Sequence, residues 1–124
     1  MIQCGTLLNV GDNSGAKLVS CIKILGCSKK RYGFIGDTIK ISVKKSLYSN
    51  KIRKGEIFNA VIIRTLYRFK REDGTIINFN DNSVVLFNNK KDLLFTRIFG
   101  PVLKELKWNF IIGQKLHNFS YFII

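Results

Sequence analysis

The sequence predicts a mainly β fold, either a small closed barrel or a sandwich. Short apolar segments recur through about the first 90 residues, and turn-forming residues separate them about every 8–12 positions. The 124 residues provide room for one core and not for two. Hydrophobic residues make up 46% of the chain, which is enough apolar mass to offset the entropy cost of ordering it. Closure into a barrel is attractive because it removes exposed strand edges.

The first half of the chain predicts three strands separated by turns. Leu7–Val10 is a short apolar run, and turn-forming residues fill Gly11–Gly15. A β-rich run covers Lys17–Leu25. Apolar and polar residues alternate most cleanly over Thr38–Lys44. This period of two predicts a strand with one buried face and one solvated face that carries two lysines.

The second half of the chain predicts two further strands, a hairpin and a helix. The range Ile57–Leu66 predicts a long strand, and the continuous apolar stretch Ala60–Ile63 within it indicates a central position. Asp73-Gly74 is the strongest hairpin signal, and Ser83–Phe87 is another strand. The sole proline precedes apolar residues at helical spacing, so we expect a short helix from about Pro101 to Trp108.

The chain is strongly basic. Lysine and arginine number 21 against 8 aspartates and glutamates, which gives a net charge of +13 at neutral pH. A small domain needs a net charge of only about 2–8 to remain soluble. The surplus favours a polyanionic partner. We expect nucleic acid rather than a membrane, since no basic amphipathic helix is evident and the apolar stretches are shorter than the roughly 20 residues of a span.

Basic residues form several short clusters with aromatic residues interleaved among them. Lysine and arginine neutralise phosphates, and aromatic faces can stack on unpaired bases, although a single tyrosine more often packs against its own protein. The predicted RNA-binding residues are Lys29, Lys30, Arg31, Tyr32, Lys44, Lys45, Lys51, Arg53, Lys54, Arg64, Arg68, Lys70 and Arg71. We expect them to read phosphate position and backbone shape with few base-edge contacts.

The residues give little support to catalysis. Gly11–Lys17 is similar to a phosphate-binding loop, but its glycines are too close together for the Walker pattern and a strand follows it. We therefore interpret it as a tight turn. His117 is the sole histidine and the acidic residues are scattered, so neither a nucleophile with its base nor a pair of carboxylates is evident. We expect a protein that is not an enzyme.

The three cysteines predict a reducing compartment. Cys4, Cys21 and Cys27 form no close pair, which argues against a disulfide framework. Cys21 lies in an apolar run and is interpreted as a small core residue. A zinc site would need closely spaced cysteines or several histidines, so we expect no metal and no cofactor.

Several long motifs match a known family in order and in register. They are Met1-Ile2-Gln3, Asn9–Lys17, Cys21–Gly26, Arg31-Tyr32, Ala60–Thr65, Asp73-Gly74, Phe79, Asn82, Val85-Leu86, Thr96–Val102 and Glu105-Leu106. From Met1 to about Lys107 the chain closely resembles the family of universal large-subunit ribosomal protein 14.

The resemblance implies a small closed five-stranded β-barrel with short C-terminal helices. It implies one ribosomal protein domain over residues 1–124, with the barrel at about 1–90 and a helical C-terminal segment at about 96–124. The implied function is a structural constituent of the large subunit that binds large-subunit rRNA, and not DNA, at the intersubunit face. The implied partners are small-subunit rRNA across that face and large-subunit proteins 19 and 3. Thr96 and Arg97 carry over as residues that dock a ribosome silencing factor.

The chain also departs from the family pattern. Leu93–Phe95 replace the usual proline and glycine ahead of the Thr96 motif, and an apolar segment replaces the usual C-terminal ending. A lysine that the family often uses in silencing-factor docking does not carry over, because Gly113 or its neighbours stand there.

Ile, Asn, Lys, Phe and Tyr, whose codons are rich in A and U, make up almost half of the chain. Together with a start that shows no targeting presequence, this predicts a mitochondrially encoded protein of the mitochondrial matrix ribosome, with a plastid or the bacterial cytoplasm as alternatives.

A free single-stranded nucleic-acid-binding barrel of the cold-shock type is the alternative function. Such a protein needs an exposed aromatic platform on adjacent strands. The predicted strand at residues 38–44 has lysines and no aromatic residues on its solvated face, which favours the ribosomal interpretation.

Overall fold

The computed structural model describes residues 2–26, 31–47, 52–88, 94–106, 118 and 120–124. The strands are β1 (Leu7–Val10), β2 (Ala16–Ile24), β3 (Thr38–Ser46), β4 (Ile57–Arg64), β5 (Phe69–Lys70), β6 (Ile76–Ile77), β7 (Ser83–Phe87), β8 (Ile98–Val102) and β9 (Ser120–Ile123). Within these residues, no helix is both long enough and apolar enough to cross a bilayer.

Five strands close into a barrel in the order β1-β2-β3-β4-β7. Neighbouring strands are antiparallel, except that β1 and β7 run parallel and pair Val10 with Val84 to close the ring. The Asp73-Gly74 turn joins β5 and β6 in a separate hairpin, and β8 pairs with β9 in a small parallel sheet. The predicted mainly β, closed five-stranded barrel is confirmed.

The barrel interior is filled by alternating side chains of its strands. On β3, Ile39, Ile41 and Val43 are fully buried, while Lys40 between the first two and Lys44 after the third are exposed. This is the period of two that the sequence predicts for this strand. Cys21 on β2 is buried in the same interior cluster, as its apolar surroundings predict.

A second apolar layer covers the outside of β4 and β7. Val61 and Ile63 on β4 face outward from the barrel and are nevertheless fully buried. They pack with Val85, Ile98 and Val102 in a cluster separate from the interior one. Residues 60–64 of β4 are buried on both faces of the sheet, which explains the continuous apolar run of this strand.

The predicted helix from about Pro101 to Trp108 is wrong at its start. Pro101 and Val102 end strand β8, where they lie opposite Phe122 and Ile123 of β9. Val102 is buried against the outside of the barrel, so its apolar spacing reflects sheet packing rather than a helix face. The predicted helical segment at about 96–124 thus contains both strands of the β8–β9 sheet.

Other parts of the predicted C-terminal helices cannot be compared with the fold. Leu106 and Asn118 have helical backbone conformation. Residues 107–117 and 119, where the remainder of these helices is predicted, lie outside the described residues.

Candidate nucleic-acid interface

A group of exposed lysines lies on the outside of β2 and β3. We call it the lysine face, and it consists of Lys17, Lys23, Lys40, Lys44 and Lys45. Lys23 lies directly opposite Lys40 in the register of the two strands. Like charges directly opposite each other destabilise a sheet, and a bound anion would relieve the repulsion. The lysine face is therefore suited to a chain of phosphates.

Register shifts between β2 and β3 build the lysine face. In a strictly alternating strand, Lys17 and Lys23 would point inward together with Val19 and Cys21. Shifts between Ala16 and Leu18, and between Cys21 and Lys23, insert one extra residue each time and turn both lysines outward. A third shift, between Leu18 and Val19, inserts Lys44 as an extra residue on β3 and turns Lys45 outward.

Two members of the lysine face are predicted from the sequence, and three are not. Lys44 and Lys45 are predicted contacts, whereas Lys17, Lys23 and Lys40 are not in the predicted set. Lys40 shares the solvated face of the best alternating segment, so that pattern could have identified it. Lys17 and Lys23 stand at positions where alternation predicts burial, and a lysine at such a position is itself a signal of a bulge.

The turn that carries Arg53 and Lys54 lies beside the lysine face. Gly55 donates its main-chain N–H to the Val43 carbonyl at 2.8 Å, and the Val43 N–H donates to the Glu56 carbonyl at 2.9 Å. Gly55 has a φ of +91°, which a side chain would disfavour, so the turn is held in one shape. Both predicted basic residues are exposed there, next to the end of the lysine face that contains Lys44.

Four further predicted residues are exposed on other turns and strands. They are Arg31, Tyr32, Arg68 and Lys70. Lys29, Lys30 and Lys51 lie outside the described residues.

Arg64 departs from the prediction that it contacts phosphate. Its side chain is buried, with 9% of its surface exposed. Nη1 donates to the carbonyls of Phe99 and Pro101 at 2.8 and 3.2 Å. Nη2 donates to Ser83 Oγ at 3.0 Å, and Nε lies 3.2 Å from Asp81 Oδ1. The guanidinium is thus used inside the protein, where it joins β4 to β8, and we correct its role to a structural one.

Arg71 is also engaged within the protein. Its Nε lies 2.7 Å from Glu105 Oε1, and Nη2 donates to the main-chain oxygen of Ile124. The ion pair compensates the charge of Arg71, so this residue joins the β5–β6 hairpin to the C-terminal segments. It is a poorer candidate for a phosphate contact than its exposed neighbour Lys70.

The turn between β1 and β2 positions the segment before β8. Asn13 Oδ1 accepts from the N–H groups of Thr96 and Arg97 at 3.0 and 3.2 Å. Asn13 Nδ2 donates to Thr96 Oγ1 at 3.0 Å. Thr96 and Arg97, the predicted docking pair, are exposed, and Asn13 holds their main chain through its side chain and through its own N–H, which donates to the Arg97 carbonyl at 3.3 Å.

Asp12 anchors the same turn from inside the barrel wall. Its Oδ2 accepts from the Leu86 N–H at 2.9 Å, and its Oδ1 accepts from the Ser14 N–H at 3.0 Å. Burial raises the pKa of the Asp12 carboxyl, and these hydrogen bonds offset the effect only in part. The segment is a turn that leads into strand β2, as the sequence predicts.

The two described cysteines differ in environment. Cys21 is buried, and this burial, with a smaller contribution from the nearby Cys4, raises the pKa of its thiol to about 11. Cys4 is exposed, and Cys27 lies outside the described residues. Among the residues that the structure describes, no three histidine, cysteine or acidic side chains are grouped to hold a metal ion.

One comparison with known proteins bears on this arrangement. A family model described as ribosomal protein L14p/L23e matches residues 1–114. The match includes all five barrel strands, the lysine face, and the β8 segment that Arg64 and Asn13 hold.

Proposed function

Because the chain belongs to the ribosomal protein L14p/L23e family, and so has a structural role in the large ribosomal subunit, we propose that it binds large-subunit rRNA through the lysine face. The observation that carries this proposal is the cross-strand pair of Lys23 and Lys40, whose repulsion an RNA phosphate would relieve. Ribosomal proteins of this family are typically structural and non-enzymatic, and the expectation that this chain is not an enzyme stays a prediction.

The proposed contacts are mainly to the RNA backbone. A rigid barrel holds the lysines at fixed spacing, so they match the positions of phosphates along a folded RNA rather than the identity of its bases. The proposed RNA-binding set omits Arg64 and Arg71 for the reasons given above and adds three lysines. It consists of Lys17, Lys23, Lys29, Lys30, Arg31, Tyr32, Lys40, Lys44, Lys45, Lys51, Arg53, Lys54, Arg68 and Lys70.

The position in the ribosome is proposed from the family resemblance. We place the protein at the intersubunit face as one domain over residues 1–124, bridging to small-subunit rRNA and contacting large-subunit proteins 19 and 3. A silencing factor would meet Thr96 and Arg97 as an exposed pair that Asn13 holds in place. Composition and the divergent C-terminal segment support a mitochondrial ribosome, with plastid and bacterial ribosomes as alternatives.

Salt-dependent binding to large-subunit rRNA tests the role of the lysine face. Lys23→Gln and Lys40→Gln should each weaken binding and lower the slope of log affinity against log salt by about 0.7–0.9 per lost phosphate contact. Lys104→Gln is the matched control, since Lys104 is exposed on the turn after β8 and away from the lysine face. Equal slopes for the wild type and both lysine-face variants would contradict the proposal.

Co-sedimentation separates the ribosomal role from that of a free single-stranded nucleic-acid binder. A subunit component remains with large subunits through a moderate-salt wash, whereas a cycling cold-shock-type barrel is released. Recovery in the free fraction alone would favour the alternative.

A further inference from the structure

We propose that Phe34 and Tyr67 form a stacking platform for one unpaired base of the bound RNA. This inference rests on the proposed function and adds a base contact to the phosphate contacts of the lysine face. The two rings are 45% and 49% exposed, and their centroids lie 6.1 Å apart at an interplanar angle of 61°. An edge-to-face pair of this kind leaves ring surface open to a third aromatic group.

The turn that carries Phe34 is held in one conformation. The Phe34 N–H donates to Asp37 Oδ2 at 2.8 Å, and the Asp37 N–H donates to the Phe34 carbonyl at 3.0 Å. The Gly36 N–H donates to the Ile62 carbonyl at 2.8 Å, which attaches the turn to β4. The backbone that carries Phe34 is therefore fixed, and its ring is exposed rather than packed in the core.

The segment that carries Tyr67 is fixed in the same way. The Leu66 N–H donates to Asn82 Oδ1 at 2.9 Å, and Thr65 Oγ1 donates to the Tyr67 carbonyl at 3.2 Å. Thr65 is buried at the end of β4, so the segment starts from the barrel wall. Two separately anchored turns thus hold the two aromatic rings side by side. Binding would therefore require little further ordering of the backbone.

The charge around the rings favours a nucleotide. Arg68 follows Tyr67 directly, and Arg31 and Tyr32 precede the Phe34 turn, all three of them exposed. Unpaired RNA bases stack on aromatic and guanidinium planes while neighbouring cations meet the phosphates. A second copy of this chain would bring these arginines against each other, which disfavours self-association through the same rings.

The platform also differs from that of a cold-shock-type barrel. The two rings of the platform lie on turns, at residues 34–37 and 65–67, rather than on the faces of adjacent strands. This geometry suits a single extruded base more than a run of stacked bases. Tyr32 is among the residues predicted from the sequence to bind RNA, whereas Phe34 and Tyr67 are not in that set.

A pair of synthetic RNA hairpins tests the platform. One hairpin carries a single unpaired 2-aminopurine, and in the other the same nucleotide is base-paired. The two RNAs therefore carry nearly the same charge, but only the first has a base free to stack on the protein. Phe34→Leu and Tyr67→Leu should each weaken binding of the first hairpin by about five-fold or more, with little effect on the second. The salt slope should not change, because no phosphate contact is removed. Wild-type protein should also quench 2-aminopurine emission, since stacking quenches this fluorophore.

Control variants separate stacking from folding. Phe99→Leu removes an equally exposed ring, at 51% exposure, from strand β8 and should leave both hairpins unaffected. Phe34→Trp keeps an aromatic face and should retain binding and quenching even if the leucine variants are less stable in thermal unfolding.

The outcomes distinguish this inference from the proposed function. If both hairpins bind equally and the leucine variants change neither, the platform is refuted while RNA binding stands. If neither hairpin nor large-subunit rRNA binds at low salt, the proposed function itself fails. If the leucine variants instead abolish co-sedimentation with a ribosomal protein while RNA binding is unchanged, the rings bind protein and the inference is wrong.

Discussion

Arg64 Nη1 lies 2.8 Å from the carbonyl oxygen of Phe99, and this contact joins the fourth barrel strand to a segment 35 residues further along the chain. The same side chain contacts Asp81, Ser83 and Pro101, so one arginine gathers groups from three parts of the chain. Because the guanidinium is buried, its removal would take this donor from the carbonyls of Phe99 and Pro101, whereas Ser83 Oγ and Asp81 Oδ2 would keep their mutual hydrogen bond.

Arg64→Leu should therefore destabilise the protein far more than an exposed arginine change. Loss of one partner from a buried, hydrogen-bonded charge network costs about 2–5 kcal/mol. Urea unfolding followed by far-UV circular dichroism measures the free energy of unfolding. Arg68→Leu is the matched control, since Arg68 is exposed and should shift the value by less than about 0.5 kcal/mol. Equal stabilities of the two variants would show that Arg64 does not hold β8 to the barrel.

Gly100→Ala should also destabilise the β8 segment, for two separate reasons. Gly100 has a φ of +84°, and a Cβ added there would lie 2.5 Å from Arg64 Nη1. The backbone strain costs about 1–3 kcal/mol, and displacement of the guanidinium adds to it. Gly74→Ala isolates the strain, because Gly74 has a φ of +91° and an added Cβ would meet nothing within 4 Å. We expect the larger loss of unfolding free energy for Gly100→Ala, and a loss no larger than that of Gly74→Ala would exclude the steric contribution.

The stability of the chain should carry a pH dependence from Asp12. Burial holds the pKa of this carboxyl above its ordinary value of 3.8, so the folded state takes up the proton more readily than the unfolded state. The contribution of Asp12 to stability therefore rises as the pH falls through the folded pKa toward 3.8, and it declines as the pH rises. Asp12→Asn lacks this proton uptake, and its amide cannot accept from both Leu86 and Ser14 as the carboxylate does.

Parallel unfolding curves at neutral and mildly acidic pH check this expectation. The deficit of Asp12→Asn relative to the wild type should grow as the pH is lowered toward 4. An exposed carboxyl gives the contrast: hydrogen bonds with Thr75 hold the pKa of Asp73 below its ordinary value of 3.8, so the effect of Asp73→Asn should stay constant down to about pH 4 and decline only in more acidic solution. A constant Asp12→Asn deficit across the pH range would mean that its proton equilibrium is the same in both states.

Much of the fold follows from local pattern. Alternation over Thr38–Lys44 predicts most of β3, which runs from Thr38 to Ser46, and the continuous run from Ile57 predicts β4. The Asp73-Gly74 pair predicts the β5–β6 hairpin, because a left-handed glycine supports such a turn. These features depend on neighbouring residues, and so a single sequence contains enough information to place them.

The site could be predicted only in part, because its key features are not local. A bulge changes which face a side chain occupies, so Lys23 turns outward where alternation predicts that it points inward. Arg64 resembles any basic residue at a strand end, and only the fold brings Phe99 and Asp81 to it. Pro101 predicts a helix start, whereas pairing with β9, about 20 residues away, makes it part of a strand.

Replacing Lys23 should change the stability of the protein and its binding to rRNA in opposite directions. It lies opposite Lys40 in the sheet, and like charges at such positions destabilise the free protein by about 0.2–1 kcal/mol. Lys23→Gln should therefore raise the free energy of unfolding at low salt while weakening rRNA binding. Screening shortens the range of the repulsion, so the gain should shrink as salt is added. Lys70→Gln serves as the control, because Lys70 is an exposed strand lysine whose cross-strand neighbour is the uncharged Ile76. A salt-independent gain, or an equal gain for Lys70→Gln, would show that the effect comes from side-chain propensity rather than from repulsion between Lys23 and Lys40.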